Sequence, residues 1–163
     1  MISILIISFV LEGLLNNFLP YMVQNITYFN PLFTLVSICL IYPFYQKDRK
    51  KYYLLAGLIG FLYDLFYTNL LFLNMYLFII TAFLVHCFYK KIRISKWTFP
   101  LLLICMITLY QGIYILLLVI FNVVPITLDN AIYWISHSYI LNIVYGQILY
   151  LIIEHIPKKR RLN

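Results

Sequence analysis

Carboxylates are scarce in this chain. Glu12, Asp48, Asp64, Asp129 and Glu154 are the five acids among 163 residues. Charged residues of both signs make up only 10% of the sequence, where a soluble domain carries about 25%. So little charge cannot clothe a water-facing surface, which excludes an ordinary soluble domain. Cysteine is also sparse. Cys39, Cys87 and Cys105 all sit in apolar runs and read as small buried hydrophobes, with no disulfide framework. His86 and Cys87 form a lone pair without the further ligands of a zinc site. Alternating apolar and polar segments, the mark of a transmembrane barrel, are missing too.

What the chain has is long, unbroken apolar sequence. It is 64% hydrophobic, with a mean hydropathy of +0.93. In lipid every backbone polar group must pair internally, so such runs are helices. At about 20 residues per crossing, the length allows six spans with short loops and no soluble domain between them. They are placed at about 2–19, 26–45, 52–67, 70–89, 97–121 and 131–156, forming one transmembrane domain over 1–163. The first run lacks the basic start and small-residue cleavage site of a removable signal peptide. Asn25-Ile26-Thr27 matches a glycosylation sequon, a tripeptide common by chance.

The twelve basic residues set the orientation. They fall into three clusters: Lys47, Arg49, Lys50 and Lys51; Lys90, Lys91, Arg93 and Lys96; and Lys158, Lys159, Arg160 and Arg161. With six spans these clusters share one side, and the other three loops carry no Lys or Arg. The positive-inside rule then places both termini in the cytoplasm. Tyr52, Tyr53, Tyr89 and Trp97 flank the basic loops, as interface-seeking rings do. The net charge of +7 therefore points to anionic lipid headgroups along the cytoplasmic loops, and not to nucleic acid.

Polar residues inside the spans mark packed faces. Asp64 stands out, because an Asp at the centre of a membrane helix costs roughly 2.5–3.5 kcal/mol. A step of 100° per residue lines Gly57, Gly60, Phe61, Asp64 and Thr68 along one stripe. The two glycines predict a close approach by another helix. Asn74 begins the next span and, after a tight turn at Thr68–Asn69, is expected to reach toward the Asp64 region, either itself or by way of water or a third helix. It shares a face with Thr81 and Val85. Other stripes are Ser8 with Glu12, Thr108 with Gln111 and Gly112, and Ser138 with Asn142 and Tyr145. Together they predict one bundle with a polar seam. Asp64 is read either as a structural acid bonded to its neighbours or as a proton- or cation-coupled transport site. Hydrolysis has little support. His137 lies between Ser136 and Ser138, but adjacent helical residues point apart, and no acid completes a triad. No catalytic, metal or cofactor residues are assigned.

The stretch Ala56–Asn74, AGLIGFLYDLFYTNLLFLN, resembles the signature region of the rod shape-determining protein MreD family. There a glycine-bearing span leads to an Asp, and a short turn leads to an Asn. Gly57, Gly60, Asp64 and Asn74 match those positions. The family commonly has a glycine just before the Asn. Here Phe72 and Leu73 take its place, a departure expected to loosen the turn. The resemblance implies a non-catalytic inner-membrane component of the bacterial elongation machinery that builds side-wall peptidoglycan. It also implies direct binding to MreC and, through it, association with the MreB filament, the RodA glycosyltransferase and a class B penicillin-binding transpeptidase. The fold it implies is similar to the six-helix substrate-binding subunits of energy-coupling-factor vitamin transporters, which supply an alternative function. A small proton-coupled carrier is a third.

Overall fold

The structure, a computed structural model, describes residues 1–22, 30–68, 70–121 and 127–154. The Asn25–Thr27 sequon, Asn69 of the expected tight turn, Pro125, His155 and the Lys158–Arg161 cluster lie outside the described residues. Among the described residues every regular element is helical. The helices are α1 (Ile2–Met22), α2 (Phe33–Ile41), α3 (Arg49–Tyr67), α4 (Leu73–Lys91), α5 (Thr98–Ile120) and α6 (Leu128–Glu154), with a 3₁₀ turn at Tyr42–Tyr45 after α2. Three of them, α4, α5 and α6, are long and apolar enough to cross a membrane. The α1 and α2 regions provide shorter apolar stretches.

All nine residues of α2 are buried. It packs against α1, α4, α5 and α6, so it forms the centre of the bundle. The second span expected over 26–45 thus takes a different form. Asn30 to Leu32 are not helical, and the helix begins only at Phe33. Its end follows from Pro43, which has no N–H to give to the Cys39 carbonyl four residues back. The backbone tightens into the 3₁₀ turn, and the Tyr89 hydroxyl donates to Cys39 O instead, at 3.2 Å. The buried Tyr52 hydroxyl donates to Ile38 O at 2.9 Å. Tyr42, Tyr52 and Tyr89 pack as a ring cluster around this turn, with centroids 4.9 to 5.2 Å from Tyr42. His86 joins it through a 2.5 Å hydrogen bond between Nδ1 and the Tyr42 hydroxyl.

The first two basic clusters meet at one end of the bundle, called here the basic end. At that end Asp48 caps α3. Its side chain accepts from Lys51 N and pairs with Lys51 Nζ at 2.7 Å. That contact holds its carboxyl below the usual carboxylate range. Outward faces are apolar along whole helices. Leu54, Leu58, Leu65 and Phe66 on α3, and Ile140, Val144 and Ile148 on α6, are all exposed. A water-soluble monomer does not expose apolar area on this scale; lipid is the solvent that suits it.

Candidate functional site

Asp64 is 1% exposed and sits on α3, facing the start of α4. Helix starts leave N–H groups unpaired, and inside an apolar bundle these need an internal acceptor. Asp64 supplies it. Oδ1 accepts from Asn74 N at 3.0 Å, and Oδ2 accepts from Met75 N at 3.1 Å. Oδ1 also accepts from Asn74 Nδ2 at 2.8 Å and from Thr68 Oγ1 at 3.0 Å. The carboxylate is therefore an N-terminal cap for α4 supplied by the neighbouring helix. It lies at the positive end of the α4 dipole, where negative charge is favoured. Asn74 passes the chain onward, since its Oδ1 accepts from the Tyr110 hydroxyl of α5 at 2.5 Å.

The glycines have separate parts. A Cβ on Gly60 would lie 2.6 Å from Asn74 O and 2.7 Å from Met75 Cα. Only a glycine admits the α4 backbone that closely, one turn before the acid that caps it. Gly57 meets only the Ile79 side chain, at 3.1 Å. In the turn between the helices, Phe72 has φ 69°, the left-handed region where glycine is at ease. The Phe72 ring stacks on Phe61 at 5.7 Å.

Glu12 does for α2 what Asp64 does for α4. It is fully buried on α1, and its Oε2 accepts from Thr34 N, in the first turn of α2, at 2.8 Å. Its Oε1 accepts from the Tyr63 hydroxyl, also at 2.8 Å. Asn142 of α6 completes the cap. Its Oδ1 accepts from Leu32 N at 2.7 Å, while its Nδ2 donates to Asn30 O and Ser138 O. Glu12 does not join the Asp64 group by a hydrogen bond. The two acids are linked through α3, where Tyr63 and Asp64 are consecutive residues.

Further bonds join the remaining helices. Gln111 Nε2 on α5 donates to Ser138 Oγ on α6 at 2.7 Å. Ser37 on α2 donates to Ser8 on α1, which also bonds the Tyr145 hydroxyl of α6 at 2.7 Å. A belt of buried polar side chains thus runs through all six helices. The stripe expected on α5 divides: Gln111 is buried, Thr108 is exposed and bonded to Tyr139, and Gly112 looks onto open space. Residues 108 and 112 are one turn apart, and the packed face runs along Tyr110, Gln111 and Leu118 instead. Sequence reading missed Tyr63, Tyr110 and Thr34, and read Tyr89 as an interface ring where its hydroxyl bonds Cys39 O. Nothing local distinguishes those tyrosines from the rest of the sixteen in the chain.

The sequence pattern of the rod shape-determining protein MreD matches residues 1–160 of this chain, essentially its whole length. The chain belongs to the MreD family. The Gly60–Asp64–Asn74 geometry is therefore that of an MreD protein, and the family is one of shape-determining membrane proteins, not of known enzymes. None of the curated proteins matches the chain. No solved structure matches it.

Proposed function

We propose that this chain is a non-catalytic membrane scaffold of the bacterial cell-elongation machinery. In this reading it binds MreC directly. Through MreC it associates with MreB, RodA and a class B penicillin-binding transpeptidase, supporting side-wall peptidoglycan synthesis. It crosses the inner membrane six times with both termini cytoplasmic, and its basic loops touch anionic lipid. Family membership supports the role in shape. The observation that carries the scaffold reading is what the belt does with its polar atoms. Transporters built from broken helices point helix starts at a bound substrate anion. Here the buried starts of α2 and α4 point at Glu12 and Asp64, acids of the chain itself. Among the described residues, Thr34 Oγ1 and Gln111 Oε1 are the buried side-chain atoms left without a partner. The polar interior is spent on joining helices.

Gly57, Gly60, Asp64, Asn74 and Glu12 are thus assigned structural roles that hold the surface MreC grips. In this reading Asp64→Ala lowers abundance or MreC co-purification in membranes carrying both proteins. Asp64→Ala at normal abundance with normal MreC recovery would sink the assignment. The alternative, a vitamin-binding transporter subunit, requires co-purification with an energising subunit in place of MreC, and one pull-down separates the two.

A further inference from the structure

We propose that the cavity at the basic end of the bundle holds one anionic glycerophospholipid, with one of its two acyl chains inside and its phosphate on Arg93. The site rests on the reading above that this end faces the cytoplasmic leaflet.

The cavity follows from the break in α2. Pro43 ends the helix, and the 3₁₀ turn leans onto α3 and α4. That leaves about 330 Å³ between Pro43 and Phe44 on one side, Ile92 and Ile94 of the α4–α5 loop on another, and Ile153 near the end of α6. This is the volume of roughly ten waters, but most of its wall is hydrocarbon and aromatic ring. Water gains little there, whereas an acyl chain keeps apolar contact when it leaves the bilayer for such a wall.

The rim supplies the polar end. Arg93 lines the cavity, is exposed, and has no carboxylate within ion-pair distance among the described residues. A guanidinium binds phosphate oxygens through paired N–H groups. Lys90, Lys91 and Lys96 lie within three residues of it and add to the positive field. Gln46 contributes a neutral amide. Glu154 stands on the α6 rim and is not free. Four cations against one acid favour an anionic headgroup over a zwitterionic one, and anionic lipid is concentrated in the cytoplasmic leaflet.

Native mass spectrometry of the purified full chain tests the site, with phosphatidylglycerol and phosphatidylcholine of equal chain length added in turn. The expected result is one retained phosphatidylglycerol per chain, at roughly fivefold the occupancy of phosphatidylcholine, the factor that one basic residue near an anionic surface supplies. Arg93→Ala, at an exposed position, should remove that preference. Ile92→Trp, which fills the mouth, should lower retention of both lipids. Lys50→Ala removes the same charge from the start of α3, outside the cavity lining, and should lower the preference less than Arg93→Ala does. Equal retention of the two lipids by the unaltered chain overturns the proposal. So does a loss in Lys50→Ala matching that in Arg93→Ala, which means a general surface effect. The measurement needs no partner protein. A chain that keeps phosphatidylglycerol but fails to recover MreC overturns the scaffold reading alone.

Discussion

At the scale of single residues, Gly60 and Gly57 look alike in sequence and differ in what they meet. A methyl at Gly60 collides with the backbone of Asn74 and Met75, which no rotamer change relieves. Gly60→Ala should therefore cost about 1–3 kcal/mol as the α3–α4 pair is forced apart. Gly57→Ala faces only the flexible end of Ile79 and should stay within about 1 kcal/mol. Detergent-titrated unfolding of the purified variants gives both values, and equal costs would contradict the geometry. Phe72 provides a second contrast. At φ 69° alanine bears the left-handed strain and glycine does not. Phe72→Gly should exceed Phe72→Ala in stability by about 1 kcal/mol, the reverse of their order inside a helix. The sequence made Gly60, Asp64 and Asn74 legible as neighbours, because a helical stripe and a tight turn fix their positions locally. That Asp64 bonds Asn74 directly and caps α4 was not legible. It depends on which backbone N–H groups the turn leaves free, and Phe72 gives no hint that it adopts a glycine-like conformation.

At the scale of elements, α2 departs most from what its sequence suggests. The short run Leu32–Tyr45 reads as part of a span reaching back to about 26, yet among the described residues of that span nine are α-helical. Its start is set by Glu12 and Asn142, which reach Thr34 and Leu32 across 22 and 110 residues of sequence. No local pattern carries such information. Its end was partly legible, since Pro43 breaks the helix wherever it packs. Both ends depend on distant side chains, so removing one strands buried backbone groups. Tyr89→Phe leaves Cys39 O without the hydroxyl and should cost about 1–2 kcal/mol. Glu12→Ala strands the Thr34 N–H and the Tyr63 hydroxyl together and should cost about 3 kcal/mol. Asn142→Ala opens the same helix start from the other side. The Glu12→Ala, Asn142→Ala pair should fall short of the sum of the singles, because either loss already frees the first turn of α2. Strict additivity in the same unfolding assay would show that the two side chains do not share one cap.

At the scale of the whole molecule, orientation decides what each end meets. The two basic loops within the described residues sit together at one end of the bundle, and Leu128–Asn130 open the last helix with no basic residue nearby. Moving a basic cluster through the bilayer is far less favourable than leaving it on the side of synthesis. In the proposed reading the basic end lies in the cytoplasm and Asp129 outside it. Thiol labelling of intact cells checks this directly. With Cys39, Cys87 and Cys105 replaced by serine or alanine, a membrane-impermeant maleimide should react with Asp129→Cys and spare Lys50→Cys and Lys96→Cys until the cells are opened. Cys39 is fully buried, so alanine suits that position better than serine, whose hydroxyl would need a partner. Labelling of Lys50→Cys in intact cells would invert the bundle. The Glu12–Asp64 belt would keep its geometry, because no bond in it depends on which face is outside, but the lipid proposed at Arg93 would then lie in the wrong leaflet.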